Sequence, residues 1–284
     1  MTSQKNQLVE DISDYYNSLS SRTGYKLLLN NVRHCGLYED DDKPWQIKKA
    51  QRQMQLKLRE LLNLPPGAEV LDAGCGTGRV AIFLAKNFSY RVRGVDLLEQ
   101  NVIDAKRAAV AQGLEDILKF EVGDYELMPY RKSSFDGIYT METLVHAADA
   151  KAVLKKFYKA LVPGGRLVLH EYFHSPLSEM PREISDMLTK IDQAVGMPSM
   201  QIFTNGFLAK ITKEAGFEQV ETLDISQQVK PLWKLFYVLN FVPYKLTRLL
   251  KLDSKKPNLM ASGIVYENQK HFGYCIVSAY KPKK

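Results

Sequence analysis

The segment "VLDAGCGTGRV", Val70 to Val80, constrains the fold more than any other part of the chain. An apolar run ends in Gly74, Gly76 and Gly78 and passes straight into the helical pattern "RVAIFLAKNF". A glycine-rich turn between strand and helix lets a ligand approach the backbone and faces it with a helix N-terminus. The rest of the chain keeps this rhythm. Ile47, Ala50, Met54, Leu58 and Leu61 recur at helical spacing up to the break "NLPPG". The strand-like runs "YRVRGVD", "LKFEVGD", "FDGIYT" and "RLVLHEY" are separated by a helical stretch from Glu99 to Gln112, closed by Gly113, and by one carrying Val153, Leu154, Phe157, Tyr158 and Leu161 on one face. "VPGG" reads as a turn and Ser175 to Met200 as irregular chain. "NGFLAKITKEAGF" reads as helix, followed by the strands "EQVETLDI" and "FGYCIVSAY". The pattern predicts an α/β fold with a Rossmann-like, seven-stranded, mostly parallel sheet.

Two acids frame the glycine turn. Asp72 stands at its entry, and Asp96 ends the next strand, about 20 residues on, where a carboxylate accepts hydrogen bonds from ribose hydroxyls. An acid at the loop entry suits a cationic ligand and disfavours a pyrophosphate. A dinucleotide fingerprint needs glycine at the position of Arg79, which weakens a nicotinamide reading, and no Gly-Lys-Ser/Thr completes a phosphate loop. A nucleoside joined to a cationic amino acid describes S-adenosylmethionine.

With "GVD", "GDYELMPYRKSSFDGIYTMETLVHA" and "LVPGGRLVLHE" in order after it, the glycine loop resembles class I S-adenosylmethionine-dependent methyltransferases over Pro65 to Tyr172. The resemblance implies an antiparallel last strand. It also implies that Asp72, Gly74 and Gly76 line the methionine end of the cofactor, with Met141 beside the donor. Asp96 would bind ribose, Leu97 would pack on adenine, and Asp124 and Tyr125 would sit at the adenine edge.

The same resemblance bears on the acceptor. "YTMETLVHA" is similar to a stretch in sterol C24-, tocopherol and quinone methyltransferases that carries Glu-x-x-x-His-Ala. The Asn/Asp-Pro-Pro-aromatic motif of nucleic-acid amino-methyltransferases is missing, so no nucleic-acid partner is expected. Glu142 and His146, four positions apart, would share a face if the segment is helical, and they are the expected catalytic pair. "RHCGLYEDDDKPW" is similar to a His-x-Gly-aromatic segment of small-molecule members, which places His34, Tyr38 and Trp45 near the donor or the acceptor mouth. His170 and Glu171, at a strand C-terminus, are expected to border the acceptor crevice. "HEYFH" spells the zinc-protease pattern, but on an extended chain its histidines stand about 13 Å apart, too far for one metal ion. No metal is expected.

The insertion "KPLWKLFYVLNFVPYKLTRLLK", Lys230 to Lys251, has an apolar centre interrupted by Pro243, too short to span a bilayer. It is expected to cap a lipophilic acceptor through Trp233 and Tyr237, with peripheral membrane contact as a second role. The expected organisation is a helical cap over 1–44 and a methyltransferase domain over 45–284, its insertions 175–202 and 226–271 forming an acceptor lid. The expected activity is methylation of a small lipophilic molecule, an isoprenoid, quinone, polyketide or peptide-like natural product, with carbon ahead of nitrogen or oxygen. A non-catalytic cofactor- or lipid-binding relative is the alternative. The net charge of +7 is spread along helix faces, and the three cysteines are scattered. The first residues lack the apolar centre of a signal peptide. A cytoplasmic protein, or one peripheral to an intracellular membrane, is expected.

Overall fold

A computed structural model describes Ile12 and residues 32–249 and 257–283. The expected helical cap over 1–44 falls mostly outside the described residues.

Helix α1 (Ile47–Leu62) buries Ile47, Ala50, Met54, Leu58 and Leu62, one stripe at helical spacing, and ends on Asn63 in the left-handed conformation ahead of the two prolines. Strand β1 (Glu69–Ala73) then enters the centre of a seven-stranded sheet of order β3-β2-β1-β4-β5-β7-β6. Its neighbours are the parallel strands β2 (Arg91–Asp96) and β4 (Phe135–Met141). Helices α2 (Arg79–Phe88) and α3 (Glu99–Val110) join β1 to β2 and β2 to β3 (Leu118–Val122). Chain order reverses beside β1, so the crevice at the C-terminal ends of β1 and β4 is where ligands bind in open sheets.

Helix α4 (Ala150–Ala160) begins on Asp149, whose carboxylate accepts from the Ala152 amide at 3.0 Å. Strand β5 (Leu161–His174) absorbs "VPGG": Leu161 pairs with Phe135, then the register jumps so that Arg166 pairs with Gly137. The expected turn is therefore an irregularity inside one strand. Helix α6 (Phe207–Glu214) leads to β6 (Glu218–Asp224), and β7 (Phe272–Tyr280) runs antiparallel to both β5 and β6.

Two apolar layers cover the sheet. Met54, Leu58, Leu84 and Val102 form part of one, and Val153, Leu154, Phe157 and Ile211 part of the other. Each such side chain, fully removed from water, contributes about 1.5–3 kcal/mol.

Two segments differ from expectation. The stretch 175–200 is largely helix: α5 (Arg182–Val195) starts after Pro181 and ends at Gly196, φ +66°. Ile184, Met187, Leu188 and Val195 are buried at helical spacing, and a proline just before a helix is compatible with its start, so the proline content was misleading. The insertion holds α7 (Ser226–Leu249), which continues through Pro231 and Pro243, and α8 (Pro257–Glu267). No helix among the described residues is long and apolar enough to cross a membrane.

Candidate active site

The glycine turn folds back onto the ends of β2. Gly74 and Cys75 donate to the Val95 carbonyl at 2.8 and 3.0 Å, and Gly76 donates to Asp96 Oδ2 at 2.8 Å. Asp96 Oδ1 accepts from the Leu98 amide and from Asn101 Nδ2, at 3.0 and 2.8 Å, so one carboxylate ties the loop to the start of α3. At Gly74, φ is +88° and an added Cβ would lie 2.5 Å from the Thr143 side chain, which leaves room for glycine alone.

Asp72, Gly74, Gly76, Asp96, Leu97, Asp124, Tyr125 and Met141 all line one cleft, together with Arg33, His34, Thr77, Asn101, Glu142, Thr143 and His146. Asp72 is 3% exposed, and burial raises its pKa to about 7 against the opposing pull of the neighbouring Tyr139 hydroxyl. A cation beside this carboxylate would restore its charge. Tyr125 donates from its hydroxyl to the Thr143 carbonyl at 2.7 Å, while its ring packs against Phe157, so it serves both core and cleft.

Beyond Met141 the chain makes no α-helical turn. Glu142 adopts φ +61°, a left-handed conformation, and Leu144–His146 form a single 3₁₀ turn. Glu142 and His146 therefore do not share a helical face. The Glu142 carboxylate accepts from the Cys35 amide at 2.5 Å and from the Tyr274 hydroxyl at 2.9 Å through Oε1, and from the Tyr172 hydroxyl through Oε2. Burial raises its pKa, against the opposing pull of these donors. His146 holds the Gly196 carbonyl through Nδ1 at 2.7 Å, and burial lowers its pKa to about 4, so the ring is neutral at pH 7. It lines the cofactor cleft.

A second chamber adjoins the first and shares Arg33 and Glu142 with it. Its wall is apolar: Leu188 and Ile191 from α5, Trp233 and Phe236 from α7, Val265 from α8, with Met197, Met200, Phe173 and Phe272. Tyr172, Cys35, Asp192 and Ser262 supply its remaining polar groups.

The acceptor residues expected from sequence divide. Trp233 lines this chamber and His34 the cofactor cleft. Tyr38 does not; it is buried and its hydroxyl donates to the Pro44 carbonyl at 2.9 Å. Trp45 is 71% exposed and lines neither compartment. His170 is fully buried in β5, and burial lowers its pKa to about 3. Glu171 points away from the chamber: its Oε1 accepts from the Thr143 and Leu144 amides at 3.0 and 2.6 Å and so fixes the turn that carries His146. Tyr237 stacks on Tyr266 at 4.6 Å and donates to Glu267. Strand alternation explains His170 and Glu171, since successive side chains point to opposite faces and neither points along the strand into the crevice. Tyr172, Tyr274 and Asp192 were missed, because their roles depend on contacts between strands and helices far apart in sequence.

A doubly wound sheet whose glycine turn and two flanking acids, Asp72 and Asp96, converge on one cleft is the frame of a nucleoside-binding enzyme. Residues 71–169 match the methyltransferase domain family model. An S-adenosyl-L-methionine-dependent Diels-Alderase, iccD of Talaromyces variabilis, is 36% identical over 277 residues, 95% of this chain and 94% of the relative. Methyltransferase GfsG of Streptomyces halstedii is 26% identical over 78% of this chain and 77% of its own length. The crystal structure of the [4+2]-cyclase SpnF superposes with a TM-score of 0.77 at 20% identity, over 97% of each chain. The chain belongs to the class I S-adenosylmethionine-dependent methyltransferase family, and S-adenosylmethionine is its cofactor.

Proposed function

We propose that the protein acts, with S-adenosylmethionine bound, on an extended lipophilic molecule of the polyketide class and closes a ring in it by [4+2] cycloaddition. The observation that carries this reading is the chamber, which meets the cofactor cleft at Glu142 and is walled mainly by hydrocarbon and aromatic side chains. A cycloaddition moves no proton. It requires a flexible chain to be held with diene and dienophile in register, and positioning of that kind removes much of the barrier. Trp233, Phe236, Leu188 and Ile191 supply a shaped apolar wall for the chain, and Tyr172 a hydroxyl beside it. The relative from Talaromyces variabilis, whose name states the same reaction, supports the reading.

The cofactor supplies a sulfonium cation and a transferable methyl group. Asp72 would hold its cationic end and Asp96 its ribose. A second reading, methylation of the same lipophilic molecule at carbon ahead of nitrogen or oxygen, is favoured by Met141 and neutral His146 on the cofactor cleft. There His146 would receive an acceptor proton. In both readings the segments 175–202 and 226–271 act as the lid over the chamber. The exposed Val238, Val242, Leu246 and Leu249 on α7 would let that lid rest on a membrane surface from which a lipophilic substrate is taken.

One assay separates the two. The protein is incubated with methyl-labelled S-adenosylmethionine and a linear polyene carrying a diene and a carbonyl-conjugated dienophile. The expected product is cyclic, of unchanged mass and unlabelled, with the cofactor intact. Label in the product establishes the second reading, and no binding of S-adenosylmethionine by calorimetry overturns both.

A further inference from the structure

Among the ionisable groups of the chamber, Glu142, Tyr172 and Cys35 engage one another, and Arg33 lines both compartments. Asp192 stands apart from them on the last turns of α5. Leu188 and Val195, one turn before and after it, line the chamber with it, and so do Ile191 and Met197. The residue is 3% exposed, and its Oδ2 has no hydrogen-bond partner.

An ionised carboxylate in such a wall would be unfavourable without a compensating partner. Burial is the sole influence on its proton affinity and pushes its pKa up to about 8, so the group carries its proton at neutral pH. A protonated carboxyl is an O–H donor. Its backbone carbonyl is already occupied by the Met197 amide at 2.8 Å, which fixes the end of α5 and leaves the side chain with no part in that turn.

We propose that Asp192 is the polar anchor of the chamber, its carboxyl donating a hydrogen bond to a carbonyl oxygen of the lipophilic substrate. This rests on reading the chamber as the substrate site. In a cycloaddition the bond would draw electron density from the double bond conjugated to that carbonyl, with no proton transferred and no covalent bond made to the protein. It would also select substrates, since an oxygen-free chain of the same shape leaves the donor unsatisfied.

The probe is prodan, a naphthyl ketone whose emission shifts to the red when its carbonyl accepts a hydrogen bond, paired with the analogue in which the carbonyl is reduced to methylene. Both are titrated into the full chain loaded with S-adenosylmethionine. The wild type is expected to bind prodan with red-shifted emission. Asp192→Leu is expected to bind it about tenfold more weakly, with emission shifted to the blue, and to bind the methylene analogue at least as well as the wild type. Asp192→Asn, which keeps a donor, should hold the red shift, and unchanged S-adenosylmethionine binding reports that each variant is folded. Prodan affinity and emission unaltered in Asp192→Leu would overturn the anchor and leave the chamber standing. Failure of the wild type to bind either probe would overturn the chamber as a substrate site and the anchor with it.

Discussion

Glu142 combines a left-handed backbone with a carboxylate that collects three donors, from Cys35, Tyr172 and Tyr274. A non-glycine residue in that conformation stores about 1–3 kcal/mol and persists where its surroundings over-determine it. The surroundings here are one backbone amide and two tyrosines, and they aim the side chain at the seam between cofactor cleft and chamber. Glu142→Gln keeps the size but turns one acceptor into a donor. Turnover is expected to fall about ten- to a hundredfold, the loss of a charge-assisted bond of ~1.5–3 kcal/mol, while the dissociation constant for S-adenosylmethionine, measured by calorimetry, stays within threefold. Asp72→Asn should do the reverse, weakening cofactor binding about tenfold or more through loss of a buried charge partner, a change of at least ~1.4 kcal/mol. The acids flanking the glycine turn could be read from sequence because their spacing follows from local geometry. The partners of Glu142 could not, since Cys35 and Tyr274 lie more than a hundred residues away on either side.

At the scale of elements, the turn after β4 is built by its neighbour. Glu171 on β5 accepts from two amides of that turn, and with it removed both N–H groups would be buried without partners. Glu171→Ala is expected to cost about 2–4 kcal/mol, since each unsatisfied buried donor costs ~1–3 kcal/mol; Glu171→Gln, which keeps an acceptor, should recover at least half. Urea denaturation measures both. Its place at a strand C-terminus suggested that this residue borders the acceptor crevice, yet its register on β5 assigns it to the turn. The elements themselves were legible wherever periodicity and glycine agreed: α2 and β7 occupy the runs "RVAIFLAKNF" and "FGYCIVSAY". Helix α5 was not, because Pro181 and the methionines in and around it obscured a regular apolar stripe that only packing against α8 makes plain.

Across the whole molecule, buried ionisable groups of both kinds set the pH dependence of stability. Asp72 and Asp192 have folded pKa values near 7 and 8, above their ordinary values, so the native state binds more protons than the unfolded chain between about pH 4 and 8. Their contribution therefore falls as pH rises through that window. His34, His146 and His170 have folded values near 4, 4 and 3, below the ordinary 6.5, and their contribution is lost as pH falls from 6.5 towards 4. The two trends oppose each other in the acid range. Above pH 6.5 the acids act alone, and urea midpoints of the cofactor-free protein are expected to decline from pH 6.5 to 8.5. Asp192→Asn should flatten part of that decline, and a saturating cationic cofactor beside Asp72 should flatten another part. A midpoint that rises over this interval in the wild type would contradict the assignment.

The position of Glu142 on the wall common to both compartments has a thermodynamic corollary. A side chain whose placement is sensed by two ligands makes their affinities interdependent, and the interdependence must be symmetric. Whatever factor S-adenosylmethionine imposes on the affinity of the lipophilic partner, that partner imposes in return on S-adenosylmethionine. Glu142→Gln, by loosening the shared wall, should bring both factors toward unity together.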